Sequence, residues 1–420
     1  MKESQVADFS ALIGIDWADK KHDICETSTT SKNYLYSVIS SSPKSIHAWA
    51  MELKKRYPDK PIAVTCELKK GPLIFALMQY EHITLFPINP SIVAKYRNAF
   101  SHSGVKDDPS DARIQTEILE YHMDKLRVIT PDSSEIRALT QHVENCRKLV
   151  QDRVDLTNKI TASLKNYYPQ VIEWFKEKDS IIFCDVLLQW PTLMAAKKAH
   201  KATLINFFHK HNSRYPDIID CRIKDIKSAI PLTNDLGVIE PNQIMIEIYI
   251  PQLKILIESI SRLDRVIKNI YKNQCDAFIY DSLPGAGPKL APRIMAAMGT
   301  NRERYDNAAE IQKYAGVAPV IERSGQKSWT HWRYSCPKFL RQTFVEWAGH
   351  SIKYSFWAKA YYQQQIEKGK AHNTIIRSLA FKWIRIVFKC WKDRKPYDES
   401  KYLEALKTKG SPLLQYAVNA

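Results

Sequence analysis

Short apolar runs fill the first part of the chain. The first three follow one another closely and predict an antiparallel meander over residues 12–17, 22–27 and 34–39. The later runs predict a helix over 46–57, a strand over 62–66, a helix over 72–80, a strand over 83–87 and a helix that opens near Asp108. The predicted order of this region is therefore βββαβαβα.

The middle of the chain carries two long helical patterns. From residue 133 to about 172, apolar residues recur at spacings of three and four, with Arg153 and Thr157 as interruptions. A second seam starts just after Pro251, a favourable first-turn residue, and comprises Leu253, Leu256, Ile260, Leu263, Ile267 and Ile270. We expect the two seams to pair, either as a helical hairpin inside one subunit or as a coiled coil between subunits.

The charge balance favours a polyanionic partner. The 420 residues include 62 Lys and Arg against 45 Asp and Glu, a formal net charge of +17. Such a surplus attracts nucleic acid through phosphate neutralisation and counterion release. We find no apolar run near the ~20 residues that span a bilayer and no secretory apolar core at the start, so we expect a cytoplasmic protein with no membrane partner.

Four carboxylates stand where strands end or a helix begins. Asp16 ends the first apolar run, Glu67 directly follows the strand over 62–66, and Asp108 and Asp111 lie three apart on one helical face. Four converging carboxylates need cations, and two Mg²⁺ ions about 4 Å apart would neutralise them and clamp a phosphodiester. The alternative is local capping, because Asp108, Pro109 and Asp111 are also typical residues of a helix start.

A glycine-rich turn precedes a helix in the last third of the chain. Its lysine, Lys289, does not follow the spacing of a nucleotide-binding P-loop. The turn, with Gly285 and Gly287, favours a helix-hairpin-helix element, whose backbone N–H groups can hold a DNA phosphate. A simple tight turn is the alternative.

Further on, Ser324 precedes Gly325 in a polar stretch that follows an apolar one. A tight turn at this pair can hold the serine exposed, although such a serine is by itself more often a turn residue than a nucleophile. Ser328 and Ser335 are weaker candidates for a nucleophile than Ser324. The nearby nucleic-acid contacts that we predict are Arg323, Lys327, His331 and Arg333, and Trp332 could either stack on a base or pack. A helix over 376–392 has a basic face that is either solvated or a phosphate track: Lys382, Arg385, Lys389 and Lys392.

Several of these motifs occur in the order of a known family. The residues concerned are Gly14-Ile-Asp16-Trp-Ala, Glu67, Lys106 to Ala112, Pro284 to Pro288, and Tyr314 to Pro319 followed by Ser324-Gly325. The ordered set resembles the DEDD insertion-sequence transposases, the bridge-RNA-guided recombinases that also include pilin-gene invertases. The N-terminal part resembles the RuvC-like branch of the RNase H fold.

The resemblance implies an α/β plus α architecture. It comprises a RuvC-like DEDD domain over 1–127, a helical coiled-coil region with an insertion over 128–275, and a mostly helical serine transposase domain with a helix-hairpin-helix-like element over 276–420. It implies that Asp16, Glu67, Asp108 and Asp111 bind Mg²⁺ and that Ser324 is the nucleophile, which docks onto the acidic site of a neighbouring protomer in a homo-oligomer, a dimer or tetramer. It also implies donor and target DNA, a structured bridge RNA and a prokaryotic cytoplasm.

The chain departs from the family in three places. Residues 68–72 replace the usual short turn after the glutamate, Asp107 offers an alternative ligand to Asp108, and residues 334–341 differ from the usual segment after the serine. Two other functions stay open from the sequence. One is a RuvC-like junction nuclease that hydrolyses with water and does not need Ser324, and the other is a nucleic-acid-binding protein without catalysis.

Overall fold

The computed structural model describes residues 4–31, 33–67, 70–100 and 108–418. The chain divides into two compact units, residues 1–131 and 132–420. This differs from the three regions expected from the sequence. Residue 275 is not a break in packing, because Ile267 and Tyr271 before it share one hydrophobic core with Ile279 and Tyr280 after it.

The first unit is a five-stranded mixed sheet with helices on both faces. Its elements are α1 (Ser4–Ala7), β1 (Ala11–Trp17), β2 (Lys21–Ser28), β3 (Tyr34–Ser40), α2 (Pro43–Arg56), β4 (Ile62–Cys66), α3 (Pro72–Leu77), β5 (Ile83–Pro87), α4 (Pro90–Phe100) and α5 (Asp108–His122). The strand order is β3-β2-β1-β4-β5, with β1 antiparallel to β2 and parallel to β4. The predicted meander and both later strands are confirmed, whereas α4 was not predicted. The sheet is consistent with an RNase H-like fold.

Alternate residues of β1 face different layers, as the strand period of two requires. Ile13 and Ile15 pack in the core that contains Trp49 of α2 and Ile74 of α3. On the other face, Leu12 packs in a second core with residues of α5, including Leu119. The continuous apolar run at the start of the chain is therefore a strand buried on both faces.

Gly14 lets α5 lie directly on the backbone of β1. A Cβ atom at Gly14 would stand 2.1 Å from the Ala112 carbonyl oxygen and 2.7 Å from the Thr116 nitrogen. The Thr116 hydroxyl accepts a hydrogen bond from the Gly14 N–H at 2.9 Å, and its proton lies within reach of the Cys25 carbonyl, also at 2.9 Å. One buried hydroxyl thus ties the helix to two paired strands.

The second unit is helical apart from one hairpin. Its elements are α6 (Ser134–Tyr167), α7 (Gln170–Trp174), α8 (Ile181–Gln189), α9 (Leu193–Lys198), α10 (Lys201–Lys210), α11 (Pro216–Ser228), α12 (Leu236–Lys272), α13 (Ala277–Asp281), α14 (Gly287–Met298), α15 (Ala308–Tyr314), β6 (Val320–Ser324), β7 (Lys327–His331), α16 (Lys338–Ser351), α17 (Phe356–Glu367), α18 (His372–Asp393), α19 (Glu399–Thr408) and α20 (Leu413–Val418). No helix in the described parts of the chain is long and apolar enough to cross a membrane.

The two predicted seams pair within the chain as an antiparallel hairpin of α6 and α12. Ile136 of α6 shares a core with Ile267 of α12, while Leu164 shares another with Ile246. The predicted start after Pro251 is wrong, because α12 begins at Leu236 and runs through that proline. A proline inside a helix removes one backbone hydrogen bond, and packing of the flanking turns against α6 and α8 offsets that loss.

The fold generates a prediction about the contact between α5 and β1. We expect Gly14→Ala to destabilise the chain by about 3 kcal/mol or more, because the added methyl group meets backbone atoms that cannot rotate away. Urea unfolding should show the loss. Gly349→Ala in α16 is the matched control, since its nearest neighbour stands 3.9 Å away, and it should be neutral or slightly stabilising. Equal stability of the two variants would contradict the close approach.

Candidate active site

Three acidic residues occupy neighbouring backbone positions at one end of the paired strands β1, β2 and β4. The parallel pairing of β1 and β4 ends at Ile15 and Cys66, so Asp16 and Glu67 follow at the next position of neighbouring strands. Across the antiparallel pairing, Asp23 of β2 is the direct partner of Asp16. Neighbouring strands are about 4.8 Å apart, and direct partners place their side chains on the same face.

Helix α5 brings its first turn towards the same edge. Leu12 packs with Leu119, and Gly14, two residues further along β1, contacts Thr116 and Ala112. Two strand residues advance about 6.6 Å and four helix residues about 6 Å, so β1 and α5 run in opposite directions. Asp16 is therefore level with the first turn of α5. Asp108 begins that turn, although its side chain and Asp107 lie outside the described residues.

Asp111 is buried in that first turn and forms an ion pair with Arg97 of α4. The Arg97 Nε lies 2.8 Å from Asp111 Oδ1, and a second guanidinium nitrogen contacts the same oxygen. Only 7% of the Asp111 side chain and 17% of the Arg97 side chain are exposed. Asp23 is likewise buried and has a cation of its own, with Lys21 Nζ 3.1 Å from its Oδ2. The chain's own cations thus neutralise two of the acids.

Within the described residues, no three His, Cys, Asp or Glu side chains stand close enough to share a metal ion. The donor chemistry nevertheless fits Mg²⁺, which prefers carboxylate oxygens and keeps several water ligands. Two further buried polar groups could hydrogen-bond to such water ligands. Thr65, two residues before Glu67 on the same face, has a hydroxyl with no hydrogen-bond partner. Gln115, one helical turn after Asp111, has neither amide atom partnered and is fully buried.

Ser324 stands at the tip of an exposed hairpin. It pairs with Lys327 across β6 and β7, and Gly325 and Gln326 form the two-residue turn. Gly325 has a φ of +58° and Gln326 has a negative φ, which is the type II′ pattern that matches strand twist. All five residues of β7 are exposed. Among the described residues, no side chain is hydrogen-bonded to the Ser324 hydroxyl.

The predicted contacts around the serine have different environments. Arg323 and Lys327 are exposed on opposite faces of the hairpin. His331 pairs with Glu322, with Nε2 to Oε2 at 3.2 Å, and Arg333 donates from Nε to the Ala318 carbonyl at 3.3 Å. The alternative serines, Ser328 and Ser335, are also exposed but do not occupy the turn.

The glycine-rich turn has a packing role that the sequence did not reveal. Gly285 has a φ of +73°, and a Cβ there would stand 3.0 Å from the backbone of His350 in α16. Trp347 of α16 donates from Nε1 to the Pro284 carbonyl at 2.9 Å. Gly287 opens α14 with free space around its Cα, and the exposed Lys289 forms an ion pair with Asp264. Of the two glycines, Gly287 is exposed, whereas Gly285 packs against α16.

Helix α18 uses much of its predicted basic face internally. Lys389 pairs with Asp393 at 2.9 Å, and Lys392 donates to the Arg302 carbonyl at 2.7 Å. Lys382 lies over the Tyr361 ring, and burial lowers its pKa, with a further contribution from the charge of Arg385. Arg385 itself is exposed. A continuous phosphate track along this face would require Lys389 and Lys392 to give up these partners for phosphates.

Sequence reasoning missed Asp23, Arg97, Thr65 and Gln115. For Asp23 a signal existed, because a short turn in the predicted meander places it opposite Asp16. The other three could not be found from a pattern. Arg97 lies on the unpredicted α4, and a lone buried Thr or Gln looks like any other polar residue until its partners are known.

Two family profiles match the chain in order. A transposase profile matches residues 13–169, which include the carboxylate edge. The profile of the transposase IS116/IS110/IS902 family matches residues 279–363, which include the Ser324 hairpin. The sheet is consistent with an RNase H-like fold, and the matches indicate a transposase, a class of enzyme that cuts and rejoins DNA. The chain belongs to the IS110/IS116 family of transposases.

Similar proteins from insertion elements align over most of the chain. A protein of the IS117 mini-circle of Streptomyces coelicolor is 26% identical over 424 residues, which covers 97% of this chain and 98% of the relative. An IS116 protein of Streptomyces clavuligerus is 22% identical and covers 91% and 95%. An IS900 protein of Mycobacterium paratuberculosis is 24% identical and covers 70% and 73%. The family relationship therefore extends over both units.

The unpartnered amide of Gln115 leads to a stability prediction. Gln115→Leu should raise the free energy of unfolding of the metal-free chain by about 1–2 kcal/mol, because a buried polar group without a partner is costly. Gln312→Leu is the matched control. That buried glutamine donates to the Phe381 carbonyl at 2.6 Å, so its loss should destabilise. Urea unfolding compares the two, and equal destabilisation would show that Gln115 has a partner in solution.

Proposed function

We propose that this transposase cuts and rejoins DNA through two separate groups, a Mg²⁺-binding carboxylate edge and the nucleophile Ser324. The observation that carries the proposal is the hairpin, which holds a serine hydroxyl exposed on a type II′ turn with no partner of its own. A structural serine in a turn usually bonds to nearby backbone. The profile of the transposase IS116/IS110/IS902 family matches residues 279–363, the segment that contains this hairpin.

The proposed chemistry is a phosphoryl transfer that needs no nucleotide cofactor. The Ser324 oxygen bonds to the phosphorus, the ester bond to one deoxyribose oxygen breaks, and the serine proton passes to that released oxygen, which becomes a hydroxyl. The phosphoserine link conserves the energy of the phosphodiester, so a DNA hydroxyl can later displace the serine. A serine hydroxyl is a weak nucleophile at neutral pH and needs activation, which no described neighbour supplies.

The carboxylate edge is the proposed source of that activation. Asp16, Glu67, Asp108 and Asp111 are the proposed ligands of two Mg²⁺ ions, which when bound stabilise the attacking and leaving oxygens. Asp111 would bind a cation only by giving up its ion pair with Arg97. The released guanidinium can then bind a non-bridging phosphate oxygen. Gln115 and Thr65 would hold water ligands beneath the carboxylates.

The proposed partners are donor DNA, target DNA and a bridge RNA that pairs with both. The net charge of +17 supports a polyanionic assembly. The proposed DNA contacts are Gly287, Lys289, Arg323, Lys327, Arg333 and Arg385, which keep exposed or partly exposed polar groups. We also propose that Ser324 acts on the carboxylate edge of a neighbouring protomer, because an exposed hairpin is suited to docking on a second chain.

Asp16→Asn tests the metal site. We expect strand cleavage to fall by more than about 100-fold, since the loss of an outer-shell partner alone costs 10- to 100-fold in metal sites. Denaturing electrophoresis should show a Ser324-dependent covalent adduct in the unmodified chain and none in Ser324→Ala. Cleavage without an adduct would instead indicate a junction nuclease that uses water. Full activity of Asp16→Asn would contradict the metal assignment.

Mixed variants test the composite site. Asp16→Asn and Ser324→Ala chains are each expected to be inactive alone and to recover part of the recombination when co-assembled. Some interfaces then pair an intact carboxylate edge with an intact serine. A co-assembled mixture that stays inactive at every ratio, with both variants folded, would show that the two groups act within one chain.

A further inference from the structure

Two arginines that have no acidic partner among the described residues lie at the base of the Ser324 hairpin. The guanidinium carbons of Arg341 and Arg377 stand 4.7 Å and 3.2 Å from the centroid of the Trp332 ring. Trp332 follows β7 directly, Arg341 is on α16 and Arg377 is on α18. A single indole thus gathers two positive charges where the hairpin joins the helices.

The two guanidinium groups differ in what holds them. Arg341 donates to the carbonyls of Arg333 and Tyr334, and its buried Nε has no hydrogen-bond partner. It fastens the loop after β7. Within the described residues, Arg377 has no carboxylate within ion-pair distance. Its guanidinium group lies over the Trp332 ring. Its N–H donors are therefore available to a ligand.

The surroundings favour an anion. Burial and the charge of Arg341 lower the pKa of Arg377. Both therefore disfavour the charged form of its guanidinium group. Residues 320–345 contain five Lys and Arg and only one acid, Glu322, which is paired with His331. A phosphate that accepts from both guanidinium groups would remove the repulsion, and the planar guanidinium matches its geometry.

We propose that Arg341, Arg377 and Trp332 form a clamp for one phosphate of the DNA strand that Ser324 attacks. This rests on the proposed function for the identity of the strand, whereas the anion site itself stands on the two guanidinium groups. A strand of five residues is about 17 Å long, and duplex DNA rises 3.4 Å per base step. The clamped phosphate therefore lies within about five steps of the attacked one.

Salt dependence of DNA binding tests the clamp without any chemistry. The full chain is titrated, in the absence of Mg²⁺, with a labelled duplex that carries the junction between the element's end and its flank. Arg377→Gln should reduce the slope of log affinity against log salt by about 0.7–0.9, the contribution of one phosphate contact. Arg214→Gln, an exposed arginine on the loop after α10, removes the same charge and should leave the slope unchanged.

A second arm locates the phosphate. Single methylphosphonates, which remove one phosphate charge, are placed at each of the steps around the cleavage site. One position should weaken binding of the unmodified chain and have no further effect on Arg377→Gln. Arg377→Lys, which keeps the charge but not the planar stack, should retain most of the salt slope and serves if Arg377→Gln does not fold.

The outcomes separate the clamp from the proposed chemistry. An unchanged slope in folded Arg377→Gln, or no sensitive position within reach of the hairpin, would overturn the clamp even if the Ser324 adduct forms. A reduced slope together with no adduct in the unmodified chain would leave the clamp and refute the proposed function. Weaker binding of copurified RNA with unchanged DNA binding would move the site to RNA and overturn the assignment to DNA.

Discussion

The contact of α5 with β1 at Gly14 is the constraint on which the carboxylate edge depends. Because no side chain separates helix from strand, the Thr116 hydroxyl can bond to the backbone of both β1 and β2. This fixes the height of α5 along β1 and so the level of its first turn. Asp111, which lies in that turn, is then level with Asp16 and Glu67, which follow the last paired residues of β1 and β4. A single missing Cβ atom thus sets the geometry of the acids.

The acids at this edge are not left to repel one another in the metal-free chain. Arg97 neutralises Asp111, and Lys21 neutralises Asp23. Binding of a divalent cation would therefore be an exchange of cations rather than the filling of an empty negative site. Among the described residues, Thr65 and Gln115 are the buried polar groups near this edge that have no hydrogen-bond partner.

The sequence predicted what periodicity controls and missed what tertiary contacts control. Strands β4 and β5 were placed at their observed bounds because each is a short apolar run between breakers. The pairing of α6 with α12 followed from matching seams. The course of α12 through Pro251 could not be predicted, since packing outweighs the local preference. The sequence predicts a phosphate contact at Gly285. The positive φ at this position and the close approach of the His350 backbone explain why a glycine is needed there.

The exposure of the hairpin has a consequence for the timing of the reaction. A two-stranded ribbon with little buried surface is only marginally stable in water, so under the proposed function β6 and β7 would gain stability on docking. Ordering the two strands costs conformational entropy. Contacts with the correct partner surface must offset that cost. Under the proposed function, Ser324 is a weak nucleophile when the hairpin is not docked. DNA that binds to the hairpin alone, or to the carboxylate edge alone, is therefore not cleaved. Because neither the Ser324 hairpin nor the carboxylate edge would cut DNA by itself, the host chromosome would be protected from unintended cleavage.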